Sequence, residues 1–208
     1  MTGRPGKSAI RGVIFDFGGV IHSFNFGLFF RRIGGRTERT FEEMESLVAG
    51  SDLPREYECG EISSGEFYRG MADLCGLRVS EEEFVSAFVG IFDPIASTVS
   101  LIRALSPSYR LGLLSNTNEW HFERHIRAVE IFPLFDAVAL SYQVKAMKPS
   151  ERIYLDLLRK IDLPPEECIF VDDLEENVAG ARRVKIHAIR YRGHEDLVSS
   201  LAALGVVP

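Results

Sequence analysis

Five short apolar runs punctuate the chain, and each ends in a polar or glycine-rich break. Val13-Ile14-Phe15 stops at Asp16 and Gly18-Gly19, and residues 111–114 stop at Ser115-Asn116. Residues 137–140 open into a polar loop reaching Lys148-Pro149. Ile169-Phe170-Val171 stops at Asp172-Asp173, and residues 186–189 form the fifth run. Runs this short and unalternating predict strands buried on both faces. Helical periodicity lies between them. Asp93 is placed to cap a helix with Pro94 at its first position and Ile95, Val99, Ile102 and Leu105 on one face. Ile153, Leu157 and Ile161 share a face after Pro149. Strand and helix in alternation predict βαβ units and an α/β fold, a doubly wound parallel sheet.

Residues 21–94 break the alternation. Helical patterns cover 42–49, 64–74 and 80–91, and no run there reads as a strand. The expected organisation is a core of residues 1–20 and 95–208 with a helical insertion of residues 21–94 after the first strand. Phe24, Phe26, Phe29 and Phe30 cluster at the start of the insertion, and packing is their leading reading ahead of a lid over a substrate. Residues 1–10 read as a loose arm. Its basic first seven residues lack the apolar stretch of a signal peptide.

Composition narrows the picture. The 208 residues are 46% hydrophobic and 26% charged, ordinary for a globular chain. At this size roughly 70% of the unfolded surface is buried on folding, so no disulfide or metal is needed for stability. The net charge of −6 disfavours nucleic acid and anionic membranes as partners. No apolar run reaches the roughly 18 residues of a membrane span. Cys59, Cys75 and Cys168 form no CxxC pair, which predicts a reducing, cytoplasmic setting.

The chemistry sits where the strands end. Open parallel sheets bind ligands beyond the carboxyl ends of their strands. There the chain delivers Asp16, Ser115-Asn116, Lys148 and Asp172-Asp173. Converging carboxylates repel unless a cation joins them, and an all-oxygen set suits Mg²⁺. Lys148 and the Ser115 hydroxyl supply donors for a tetrahedral anion. Singly, each residue has a plain explanation as a turn, a helix cap or a solvated lysine. That all four fall at strand ends favours a shared site.

In these motifs the chain resembles the haloacid dehalogenase-like (HAD) hydrolases over nearly its whole length. The family's motifs are matched in order by residues 13–20 (VIFDFGGV), 114–118 (LSNTN), Lys148-Pro149, and Phe170-Val171-Asp172-Asp173 followed by Asn177. The resemblance implies a HAD-like Rossmannoid core with a cap domain in the position of the insertion. It implies that Asp16 attacks phosphorus to form an aspartyl-phosphate, that Ser115 and Asn116 bind the phosphoryl group, and that Lys148 offsets developing charge. It implies Mg²⁺ held by Asp16, the Gly18 carbonyl and the Asp172-Asp173 pair, with Asp173 the direct ligand. The implied substrate is a small phosphorylated metabolite, a sugar phosphate such as glucose 1-phosphate. One departure stands out: most family phosphatases carry an acid–base Asp where this chain has Gly18. Slow turnover, a good leaving group or a replacement acid is therefore expected. His22, Glu119 and His121 are the nearest replacements in sequence, with non-catalytic roles favoured for each. Tyr57, Glu61, Arg69 and Trp120 of the neighbouring segments are read as ordinary packing or surface residues. Two other readings stay open. A metal-independent 2-haloacid dehalogenase would not need the missing Asp, but leaves Asp172-Asp173 without a task. A degenerate member would bind phosphorylated metabolites without turnover.

Overall fold

The computed structural model of the chain describes residues 9–207. Most of the arm expected over residues 1–10 lies outside the described residues. Each of the five apolar runs is a strand, and together they form one parallel sheet. The central strand β1 is Gly12–Phe15. Two further short strands, β2 (His22–Phe24) and β3 (Phe92–Pro94), lie outside that sheet. The remaining sheet strands are β4 (Arg110–Ser115), β5 (Ala137–Leu140), β6 (Cys168–Asp172) and β7 (His187–Arg190). Their order is β5-β4-β1-β6-β7. Val13 lies between Leu111 and Ile169, and Phe15 between Leu113 and Val171.

Side chains of a strand alternate between the two faces, so a sheet buried on both sides needs two cores. Val13, Phe15, Leu111, Leu113, Ile169 and Val171 belong to one cluster; Ile14, Leu114 and Phe170 belong to the other. The helices that cover them come from the periodic segments between the strands. Residues 26–89 contribute α1 (Phe26–Ile33), α2 (Phe41–Ala49), α3 (Leu53–Glu58), α4 (Ser64–Cys75) and α5 (Glu81–Val89). Then come α6 (Ala96–Leu105), α7 (Glu119–Arg124), α8 (Ser141–Val144), α9 (Glu151–Ile161), α10 (Glu175–Arg183) and α11 (His194–Ala203). Helices α6 and α11 cover the first face through Leu101, Ile102, Leu105, Leu197 and Leu201. Helix α9 covers the second through Ile153, Leu157 and Ile161.

Two expectations are corrected. Asp93 and Pro94 do not start the helix before β4. They are extended in β3, where Asp93 faces Ser23 and Pro94 faces His22 of antiparallel β2, and α6 begins at Ala96 without a side-chain cap. The segment read as purely helical thus enters and leaves through a two-stranded ribbon. It also holds two helices beyond those expected. In α1, Phe26, Phe29, Phe30 and Ile33 recur at i, i+3, i+4 and i+7, and the Asn25 side chain accepts from Gly27 N at 2.9 Å. The short α3 has Pro54 in its first turn.

Helices α1–α5 surround their own aromatic cluster, which includes Phe29, Phe30, Phe67, Phe84 and Phe88. Trp120, from α7 beside the sheet, joins it. Three of these helices start with full capping boxes, Thr40/Glu43, Ser63/Glu66 and Ser80/Glu83. Each satisfies two otherwise unpaired N–H groups at the helix start. The phenylalanine cluster divides in two: Phe29 and Phe30 are buried, whereas Phe24 and Phe26 are exposed. The three cysteines are free, and among the described residues no helix is long and apolar enough to cross a membrane.

Phe84 is fully buried and stacks on Phe88 with centroids 5.8 Å apart. Phe84→Ala is expected to cost about 3–5 kcal/mol in urea unfolding; a cost under about 1 kcal/mol would mean that the helices do not share this core.

Candidate active site

Strands β1, β4 and β6 end on one rim. Asp16 is the first residue after β1, Ser115 the last of β4 and Asp172 the last of β6. The sheet reverses its winding between β1 and β6, the place where open α/β sheets form a ligand crevice.

Lys148 enters from the loop between α8 and α9. Asn116 fixes that loop: its Oδ1 accepts Lys148 N at 2.7 Å and its Nδ2 donates to Lys148 O at 3.1 Å. Lys148 Nζ donates to Asp16 Oδ1 at 2.8 Å and to Asp172 Oδ2 at 2.6 Å, with all three side chains buried. Asp172 is held further by Leu174 N at 2.9 Å and by Asn177 Nδ2 at 3.0 Å, both on Oδ1. Phe17 N donates to Asp16 Oδ1 at 2.7 Å. Both donors to Asp16 therefore meet one oxygen, and Oδ2 takes no hydrogen bond among the described residues. Burial pushes the Asp16 carboxyl up to about 7; Lys148 opposes that rise and Asp172 adds to it. Burial pulls the Lys148 ammonium down, but the two carboxylates outweigh it and hold it above its ordinary range.

Asp173 is half-buried, and burial and neighbouring Asp172 raise its carboxyl. Its carboxylate lies against Gly19, whose φ is +74°. The positive φ favours glycine, and a Cβ at Gly19 would stand 2.5 Å from Asp173 Oδ2, so any larger residue would displace that carboxylate. Asp16, Asp172 and Asp173 present ligand oxygens within 4.8 Å of one another. Three carboxylates face one ammonium, an imbalance and donor set that fit a hard divalent cation.

A cleft of about 70 Å³ opens beside this cluster, lined by Gly18, Phe24, Phe26, Glu58, Ser115 and His121 among others. Ser115 and Asn116 do not cap the next helix. Asn118 does, its side chain accepting from His121 N at 3.0 Å. The three candidate replacement acids, for each of which a non-catalytic role is favoured by the sequence, have partners elsewhere. His22 Nδ1 meets His125 Nε2 at 3.1 Å, and burial with His125 nearby lowers it to about 4. His121 has one ring nitrogen at Asn118 and the other at the Phe88 carbonyl, and burial lowers it to about 4. Glu119 accepts from Ser64 Oγ. Glu61 pairs with Arg55 at 3.0 Å on the surface. Tyr57 and Trp120 are buried. Glu58, at the end of α3, is the cleft residue that sequence reasoning did not single out; nothing in its local pattern marks it.

The sequence profile of the haloacid dehalogenase-like hydrolases matches residues 10–185. The chain belongs to this family. A D-ribitol-5-phosphate phosphatase of Bacteroides thetaiotaomicron is 30% identical to this HAD-like hydrolase over 185 residues, spanning 81% of this chain and 85% of that protein. A sesquiterpene phosphatase of Aspergillus oryzae is 26% identical over 181 residues, 85% and 87% of the two chains. A HAD family enzyme of Bacteroides thetaiotaomicron, solved in complex with magnesium and inorganic phosphate, matches with a TM-score of 0.78 at 24% identity, covering 88% of this chain and 95% of that one.

Removing Lys148 leaves two buried carboxylates without their counter-charge, a loss of about 3–5 kcal/mol for a broken buried pair. Lys148→Ala raises the Asp16 carboxyl still further in the folded state, so the loss grows as pH rises through and above 7 and shrinks where Asp16 is protonated. Urea unfolding of the variant and the wild type at pH 8 and pH 5.5 checks this; equal penalties at the two pH values would contradict it.

Proposed function

We propose that this HAD-like hydrolase is a Mg²⁺-dependent phosphatase of small phosphorylated metabolites that works through an aspartyl-phosphate at Asp16. The observation that carries the reading is the buried contact of Lys148 with Asp16 and Asp172, beside a third carboxylate at Asp173. Asp16, the Gly18 carbonyl and Asp173 would hold the metal, with Asp172 beside them. The ion supplies charge neutralisation for the phosphoryl oxygens.

The chain's own residues do the rest. Phe17 N and Lys148 Nζ clamp Asp16 Oδ1, so Oδ2 is the oxygen left to attack phosphorus. The Ser115 hydroxyl, at the end of β4, donates to a phosphoryl oxygen. Asn116 keeps Lys148 in place through its backbone. A new Asp16–phosphorus bond forms as the alcohol leaves, and water then cleaves the acyl phosphate to restore the carboxylate. The two relatives are phosphatases named for D-ribitol 5-phosphate and for a sesquiterpene, one polar and one apolar organic group. The sugar phosphate expected from sequence resemblance stands at one end of that range.

A panel of phosphomonoesters together with 2-chloropropionate, each with and without Mg²⁺, tests this. Phosphate release is expected only with the metal, and Asp16→Asn is expected to abolish it. Chloride release that survives chelation would replace this reading with a dehalogenase. Because Asp16 must ionise to bind the metal, Mg²⁺ is expected to raise Tm more at pH 8 than at pH 5.5.

A further inference from the structure

Gly18 leaves the site without the side chain that would protonate a departing alcohol. A Cβ at Gly18 would meet the Phe24 ring at 3.2 Å, a tight contact with an exposed side chain. Two titratable side chains line the cleft, Glu58 and His121, and both ring nitrogens of His121 are engaged. The Glu58 carboxylate takes no hydrogen bond and no ion pair among the described residues, while it feels the charge of Lys148. Its position is built. Directly after Glu58 the chain turns through Gly60 at φ +62°, where a Cβ would overlap the Tyr142 carbonyl, and Lys145 Nζ donates to Gly60 O. This pins the end of α3 onto α8, next to the loop that carries Lys148.

We infer that Glu58 is the general acid of the reaction, reaching in from the helical insertion to replace the side chain missing at Gly18. The inference rests on the phosphatase reading above. As Asp16 Oδ2 bonds to phosphorus and the phosphorus–oxygen bond to the alcohol breaks, the Glu58 proton passes to the alkoxide and leaves a carboxylate. In the second step that carboxylate takes a proton from the attacking water, and inorganic phosphate leaves. Burial pushes Glu58 up to about 7 against the pull of Lys148, so both forms are populated near neutrality.

Leaving-group dependence tests it. For Glu58→Gln, kcat/KM on ethyl phosphate, a poor leaving group, is expected to fall by roughly 10²–10⁴. On 4-nitrophenyl phosphate, which departs without a proton, the fall is expected to stay under about tenfold. Both esters report the same folded fraction, so a misfolded variant cannot imitate the difference. Equal losses on the two esters, or no loss on ethyl phosphate, overturn the assignment. A wild type that hydrolyses neither overturns the phosphatase reading itself.

A different observation carries a second inference. Behind Phe26 and Glu58, which line both spaces, a cavity of about 250 Å³ lies among α1–α5. Phe29, Phe30, Val48, Phe67, Met71 and Phe88 line it. Its polar lining is Glu45, Glu58, the Tyr57 hydroxyl, which already meets Ser64 Oγ at 2.7 Å, and Asn118, which caps α7. Beyond those two carboxylates the walls are apolar, so most hydroxyls of a polyol would lose hydration without gaining partners, whereas a hydrocarbon loses none. The geometry points to a substrate whose organic part is predominantly apolar and occupies this cavity. Along a series of n-alkyl phosphates from ethyl to octyl, kcat/KM is expected to climb roughly three- to fourfold per methylene. Val48→Trp is expected to depress octyl phosphate more than ethyl phosphate. A flat series, ribitol 5-phosphate or glucose 1-phosphate outperforming octyl phosphate, or an equal effect of Val48→Trp on both esters overturns the apolar assignment and leaves the phosphatase reading in place.

Discussion

A single ammonium group between two buried carboxylates organises this molecule. Lys148 Nζ touches Asp16 and Asp172, which stand at the ends of adjacent strands. Buried charges are tolerable only when paired and hydrogen-bonded, so the loop carrying Lys148 must arrive in register with two strands it does not pair with. Asn116, from a third strand's end, enforces that by binding the Lys148 backbone on both sides. The requirement reaches into the sheet, because moving β1 against β6 by one residue would separate the carboxylates and turn each apolar side chain to the wrong core.

The insertion meets the core under different rules. Its helices have their own capping boxes and an aromatic interior that takes only Trp120 from the core among its buried residues. It is tied down at its root by β2 and β3, and again where Gly60 fits under Tyr142 beside Lys145. Those ties bring Phe24, Phe26 and Glu58 over a rim whose chemistry is otherwise supplied by the strand ends.

The sheet was legible because burial on both faces writes continuous apolar runs, and β1, β4 and β6 stop at or beside residues that reach the rim. Asp16, Ser115, Asp172 and Asp173 stand at those stops, whereas Lys148 lies in the loop beyond the end of β5. Residues 92–94 were misread for a physical reason: Asp-Pro before an apolar period is also how a helix begins, and three-residue strands are too short to show alternation. Glu58 was invisible for a deeper one. A glutamate at the end of a short helix has the same local pattern whether it faces solvent or a cleft, and only the docking of α3 on α8 decides. Asn116 shows the converse: its place in the motif was plain, but its amide proves to be engaged with a backbone 32 residues away.

Trp120 is the sole tryptophan of the chain. It is carried by the helix after β4, yet its indole sits 5.7 Å from the Tyr57 ring and 5.9 Å from Phe84, inside the aromatic interior of the insertion. The protein therefore carries its one tryptophan fluorophore where the insertion meets the core. Its emission reads the seating of the helices on the sheet directly, without a label or an engineered probe.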